Sequence, residues 1–188
     1  MQVSTIELNL TMRWKLFNVD IYIRMNQKAQ VILLQIVKLL KDDRWTTDSQ
    51  WQLSLKADGY VPLVRPIIVE GRLDDTKWKD QIHTLIRVKV STDDDITFFP
   101  EVSIYAQIAI GEVPAKDIEY DIMGNTAFTD KDLKDSKKLS SASKEITRMV
   151  DNHINEVYQD YVDTNEELIM FYKQASSQNN SEQPPTGA

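Results

Sequence analysis

Acidic side chains are the first candidates for chemistry in this chain. Asp93, Asp94 and Asp95 are consecutive, and carboxylate oxygens are the ligands that Mg²⁺ and Ca²⁺ prefer. The triplet lacks the glycine and the spaced acceptors of an EF-hand loop. Consecutive side chains of an extended chain also point in different directions. A solvated loop tip is therefore the preferred interpretation.

More carboxylates follow the triplet, at Glu112, Asp117, Glu119 and Asp121. On a strand the last three would share one face, and beside the Asp93 triplet they could form a two-metal, nuclease-like site. A separate pattern loosely resembles the Asp…Asp-x-Lys arrangement of restriction-fold nucleases, namely Asp58 and Asp75-Thr-Lys77. That chemistry needs the second carboxylate on a core strand, whereas Asp75 lies in a polar connection.

Nucleophilic and phosphate-binding motifs do not stand out in the sequence. His83 and His153 have no strained or capped nucleophile nearby, and the five glycines form no phosphate-binding loop. The chain contains no Cys, which excludes disulfides, thiolate zinc sites and thiol catalysis. We therefore expect a protein that is not an enzyme and needs no metal or cofactor.

Aromatic side chains indicate protein contacts instead. Phe98-Phe99-Pro100 falls in an otherwise acidic connection, where exposed aromatic residues often anchor a partner. Burial in the core explains the pair equally well. The expected contact residues are Trp14, Phe98, Phe99 and Tyr172.

Charge is divided unevenly along the chain. Residues 1–41 carry six basic and two acidic side chains, a net +4, which leaves 16 basic and 27 acidic ones, a net −11, in residues 42–188. This division could steer contacts between copies, or each part could simply be solvated. The acidic total argues against a duplex nucleic-acid binder.

The most apolar run, Val31 to Leu40, is interrupted by polar residues and too short to span a bilayer. The first residues contain no apolar segment typical of a signal peptide. We expect no membrane insertion and a cytoplasmic or virion location.

The elements that position these residues centre on a predicted hairpin at residues 82–111. Apolar residues alternate with polar ones in both of its halves, which predicts two strands with one buried face. The expected buried residues are Ile86, Val88, Val90, Val102, Ile104, Ile108 and Ile110.

The N-terminal segment also alternates. Apolar residues recur at every second position from Ile6 to Leu16, and the parity changes at Leu16–Phe17. One long strand with a β-bulge is the preferred interpretation, and a tight turn at Phe17–Asn18 is the alternative.

Helical spacing then follows, with a stripe at Ala29, Ile32, Leu33, Ile36, Val37 and Leu40. Val31, Leu34 and Leu39 widen this stripe, which predicts that more than one side of the helix is covered. Alternation at Trp51, Leu53 and Leu55 predicts a strand. The prolines at 62 and 66 predict that residues 60–70 form an edge strand or crossing segment, with regular pairing from about Ile67.

The predicted fold class is α+β, with an antiparallel sheet, helices on one face and a C-terminal helical segment. In chain order, the predicted elements are the long bulged N-terminal strand, a helix and then three to four further strands of the sheet. The predicted parts are a sheet-and-helix core (1–111), a polar connecting loop (112–141), C-terminal helices (142–174) and a low-complexity tail (175–188). Thr164 with Glu167 predicts a capping box at the second of those helices.

The preferred function is a non-enzymatic structural or assembly component of a large multi-protein complex, of the kind found in virions or phage tails. It would act through contacts with other subunits, as a homo- or hetero-oligomer. An acidic holdase-type chaperone is the alternative hypothesis, and a metal-dependent nuclease is the third.

Overall fold

The computed structural model describes the backbone of residues 11–12, 21–22 and 27–179 and the side chains of residues 27–174. The fold class is α+β, as predicted. The elements in chain order are β1 (Thr11–Met12), β2 (Ile21–Tyr22), α1 (Gln27–Asp42), α2 (Trp51–Asp58), β3 (Val61–Leu73), β4 (Thr76–Thr92), β5 (Phe98–Ile108), β6 (Lys116–Met123), a 3₁₀ turn (Asp130–Asp132), α3 (Ser136–Thr164) and α4 (Glu166–Asn179).

The main sheet has four antiparallel strands in the order β3-β4-β5-β6. The predicted hairpin forms its two central strands, and all seven residues expected to be buried there are buried. Ile86 faces Ile104, and Val88 faces Val102. Pairs of β-branched side chains of this kind stabilise neighbouring strands.

β3 is an edge strand, as its prolines predict, but it is paired from Val61 onward rather than from Ile67. Val64 exchanges backbone hydrogen bonds with Thr46, on the side away from β4. Pro62 and Pro66 lie two residues either side of Val64, so their nitrogens also face that outer side. No ladder hydrogen bond with β4 is lost, and the prolines are therefore compatible with regular pairing.

Helices cover one face of the sheet. The buried residues of α1 are the six of the predicted stripe, whereas Val31 and Leu34 are 44% and 37% exposed. The expectation that a second side of α1 is covered is therefore wrong for these two residues. Helix α3 packs beside α1 and buries Ile146, Val150, Ile154 and Tyr158 against the same core.

Three other predictions need correction. Residues 51–58 form helix α2 and not a strand, because Trp51 and Leu55 lie one helical turn apart and Gly59, with φ of 72°, ends the helix. The predicted connecting loop (112–141) contains β6 and the start of α3. Thr164 does not cap α4, since it is the last residue of α3 and its hydroxyl donates to the Asp160 carbonyl at 2.7 Å.

The long bulged N-terminal strand lies mostly outside the described residues. The four described residues form a small antiparallel pair in which Thr11 faces Tyr22 and Met12 faces Ile21. The bulge itself stays a prediction. Helix α4 extends to Asn179 and so includes the first five residues of the predicted low-complexity tail (175–188).

Candidate functional site

The face of the sheet opposite the helices is the main candidate surface. We call it the outer sheet face, and the strand registers define it row by row. Its exposed or half-buried residues include Val64, Pro66 and Ile68 of β3, Leu85, Arg87 and Lys89 of β4, Ser103, Tyr105 and Gln107 of β5, and Asp117, Glu119, Asp121 and Met123 of β6.

Arg87 lies near the middle of this face, between two tyrosine rings. Its guanidinium carbon is 4.9 Å from the ring centroid of Tyr60 and 4.7 Å from that of Tyr105. A guanidinium Nη1 also donates to the Tyr105 hydroxyl at 3.4 Å. Cation–π contacts and the hydrogen bond restrict the rotamers of Arg87. Arginine and tyrosine are the residue types that most often dominate binding energy at protein interfaces.

Apolar side chains extend from this centre towards the margins of the face. Val64 is 42% exposed, Ile68 56% and Met123 62%. Ile96, in the loop beyond β4, is 63% exposed. Single exposed apolar residues are normal on any surface, but several on one flat face favour a contact surface.

Charges on the outer sheet face are mixed on β4 and β5 and acidic on β6. Lys89 pairs with Glu101 at 2.6 Å, and Gln107 donates to Asp117 at 2.8 Å. The side chains that β6 presents to this face are Asp117, Glu119, Asp121 and Met123. The sequence prediction that its three carboxylates share a face therefore holds.

The structure places the predicted contact residues in different environments. Phe98 is fully buried, and its backbone bridges to Phe128, so it belongs to the core and not to a contact surface. Phe99 is half-buried at the top of the outer sheet face, opposite Ser91. Tyr172 is half-buried on α4, and Trp14 lies outside the described residues.

A polar cluster joins the covered face of the sheet to α3 and α4. The Trp78 indole Nε1 donates to the Tyr158 hydroxyl at 2.8 Å and to Asp80 Oδ2 at 3.1 Å. The Tyr158 hydroxyl donates to the same carboxylate. Lys173 of α4 contacts both Asp80 oxygens, at 3.0 and 3.1 Å.

This cluster has a Tyr–Lys–Asp composition that could suggest proton transfer. Burial, together with the hydrogen bond to Asp80, raises the pKa of Tyr158 well above its usual value. A general base needs a pKa near the working pH, and this tyrosine is shifted the other way. The cluster instead satisfies buried polar groups and fixes α3 and α4 to the sheet.

The acidic candidates do not form one site. Asp94 accepts hydrogen bonds from the backbone amides of Thr97 and Ile96, which lower the pKa of its carboxyl. Asp121 pairs with Ser103, which lies five residues along β5 from Phe98, where the loop that contains Asp93–Asp95 ends. About 17 Å of strand therefore separates Asp121 from the end of that loop. Within the described residues, no group of three or more potential ligands could hold a metal ion.

The nuclease-like pattern is also dispersed. Asp58 ends α2, whereas Asp75 lies in the two-residue turn between β3 and β4. Of the histidines, His83 lies on β4 beside Gln81. His153 of α3 stacks on Tyr120 with ring centroids 4.1 Å apart, and burial lowers the pKa of its imidazole.

The Tyr60–Arg87–Tyr105 stack is the feature that sequence reasoning does not identify. Arg87 and Tyr105 occupy polar positions of two correctly predicted strands, so the sequence alone assigns both to the solvent-facing side of the hairpin. Their contact depends on register, with Leu85 facing Tyr105. That register follows from the connection between the strands and could not be fixed by alternation alone.

Comparisons with known proteins found no family model, curated protein or solved structure that matches the chain. Among the helices in the described part of the chain, none combines the length and the apolar character needed to cross a membrane.

Proposed function

We propose that this protein is a non-enzymatic assembly component of a multi-protein complex, such as a virion or a phage tail, and that it binds a protein partner through the outer sheet face. The observation that carries the proposal is the Arg87 stack with exposed apolar residues around it. A restrained arginine loses less conformational entropy when it binds. The outer sheet face presents Arg87, Tyr105 and Met123, and aromatic residues, Arg and Met are enriched at protein interfaces.

The area of the outer sheet face corresponds to most of one side of a standard protein interface. Four strands about 4.8 Å apart, each contributing about eight residues, give a surface of roughly 500 Å². A standard interface buries roughly 800 Å² on each partner. The outer sheet face would therefore supply most, but not all, of one side of a stable interface, and adjoining loops such as the one containing Ile96 would complete it.

A capture experiment with matched variants tests the proposal. The tagged chain should retain a defined set of proteins from its native source. Arg87→Ala and Ile68→Asp should each weaken that capture at least tenfold. Leu53→Asp is the control, because Leu53 is a similarly exposed apolar residue (61%) of α2 and does not belong to the strands that form the outer sheet face. All variants should keep the circular dichroism spectrum of the wild type.

Other results would contradict the proposal and identify its rivals. Equal loss of capture in the Leu53 control would remove the outer sheet face as the contact surface. Suppressed aggregation of many unrelated unfolded clients, with no defined partner, would indicate a holdase. Nucleic-acid cleavage that depends on a divalent metal would indicate a nuclease.

A further inference from the structure

The two edge strands of the sheet differ in how they are protected. β3 has prolines at 62 and 66, and Thr46 bridges its outer side at Val64. β6 contains no proline, and in the described part of the chain no strand pairs with its outer edge. An edge strand with unpaired backbone groups is a template for another strand.

The side chains of β6 define which strand would fit. Its outer face presents Asp117, Glu119 and Asp121, two residues apart, and its inner face presents Ile118, Tyr120 and Ile122. Tyr120 is 48% exposed and Ile122 is half-buried, so the apolar row is incompletely covered. A complementary strand would carry basic residues on one side and apolar residues on the other, because opposite charges on neighbouring strands attract.

Residues 6–16 of this chain have that pattern. Their apolar residues fall at every second position, and Arg13 and Lys15 lie two residues apart on the polar side. That spacing equals the spacing of the three carboxylates of β6. If Arg13 and Lys15 lie beside these carboxylates, Leu10, Met12 and Trp14 lie beside the apolar row of Ile118, Tyr120 and Ile122.

The structure favours a second copy as the source of this strand. Within one chain, β1 pairs with β2 in a sheet separate from the four-stranded one. The ion pair between Lys28 and Asp130, at 2.5 Å, holds the start of α1 close to the segment that follows β6. Because α1 begins at Gln27, two copies related by a twofold axis beside this edge could exchange residues 6–16 reciprocally.

We propose that residues 6–16 of a second copy pair with the open edge of β6, with Arg13 and Lys15 beside its carboxylates. This inference rests on the proposed assembly function and names one of its contacts. The purified chain alone should then form a dimer whose affinity decreases as salt increases.

Charge reversal tests the pairing, with the dimer dissociation constant measured by sedimentation equilibrium. Arg13→Glu/Lys15→Glu should raise that constant at least tenfold, and Asp117→Lys/Glu119→Lys/Asp121→Lys should do the same. The two sets combined should return it to within about threefold of the wild type. Glu70→Lys, on the opposite edge strand, is the control and should have no effect. A monomeric wild type, or combined reversals that fail to restore dimerisation, would overturn the proposal.

Cysteine cross-linking identifies which copy supplies the strand. Because the sequence contains no Cys, no native thiol can form a competing disulfide. An Arg13→Cys chain mixed with chains carrying Asp117→Cys, Glu119→Cys or Asp121→Cys should give a disulfide-linked pair with at least one of the three. A disulfide formed only within one chain, in double variants, would refute exchange between copies.

Partner capture through Arg87 and Ile68 is a separate measurement, so a monomer that still captures its partner would refute the exchange and leave the assembly function standing.

Discussion

The two faces of the four-stranded sheet have opposite properties. The covered face is apolar and β-branched, and the residues in its central rows, such as Ile86 and Ile104, have no exposed surface. The outer sheet face mixes arginine, tyrosine, lysine and carboxylates with a few exposed apolar residues. Both faces come from the same strands, because alternate side chains point in opposite directions.

This difference separates stability from function within single strands. Burial of apolar area on the covered face supplies most of the folding free energy. Substitutions on an exposed face usually change stability little. Residues on the outer face can therefore be selected for binding without loss of folding stability. The following predictions compare matched residues on the two faces.

The largest contrast should come from cavity formation in the covered face. Ile104→Ala or Ile108→Ala should lower the free energy of unfolding by about 2–5 kcal/mol, because both side chains are fully buried. Ile68→Ala, on the outer face, should cost less than about 1 kcal/mol, since 56% of Ile68 is exposed. Urea denaturation measures all three. Losses below about 1 kcal/mol at both buried sites would show that the core is elsewhere.

A steric contrast within β3 should be somewhat smaller. A Cβ atom added at Gly71 would lie 2.3 Å from the Trp78 ring, so Gly71→Ala must displace that ring and disturb its polar cluster. We expect a loss of about 1–3 kcal/mol in the free energy of unfolding. Arg72→Ala, the adjacent residue on the outer face, should have almost no effect. Equal thermal stability of the two variants would mean that the Trp78 ring can move without cost.

Two tyrosine hydroxyls give the third contrast. Tyr158→Phe removes a hydroxyl from the covered cluster and leaves Asp80 and Trp78 with fewer partners, for an expected loss of about 1 kcal/mol. Tyr105→Phe removes only the 3.4 Å contact with Arg87 on the outer face, and its effect should be a few tenths of a kcal/mol. Denaturation midpoints compare the pair, and a larger loss at Tyr105 would reverse the assignment of the two faces.

The sequence predicts the parts of this fold that have long, unambiguous periodicity. The 82–111 hairpin and the apolar stripe of α1 are correct because their apolar residues repeat over many positions. Residues 51–55 offer only three alternate apolar positions, and Leu53 is in fact 61% exposed on a helix. Gly59 as a helix terminus is the signal that would have favoured α2.

β6 shows why the loop prediction for 112–141 fails. Ile118, Tyr120 and Ile122 alternate with three carboxylates, so a short strand pattern is present. Its high acidity and the neighbouring Pro114 and Gly124 make the segment resemble a loop by composition. The candidate site is predicted only at the level of which residues face solvent. The contact of Arg87 with two tyrosines depends on tertiary register and on the loop that brings Tyr60 to β4.

The smallest contrast concerns pH and the Tyr120–His153 stack on the covered side. Burial lowers the pKa of His153, against an opposing effect of Glu156, so the folded state favours the neutral imidazole. The unfolded chain therefore takes up a proton first as pH falls below about 6.5. The stabilisation that neutral His153 provides is complete above that pH and is lost as pH falls through the lowered pKa of the folded state.

His153→Phe keeps an aromatic ring beside Tyr120 but cannot titrate, so its melting temperature should fall less than that of the wild type between pH 7.5 and pH 5. His83→Gln, on the outer face, is the control and should keep the dependence of the wild type. If His153→Phe and the wild type lose the same stability over this interval, the imidazole takes up its proton without leaving the stack, and the covered face is more tolerant of charge at its margin than its burial indicates.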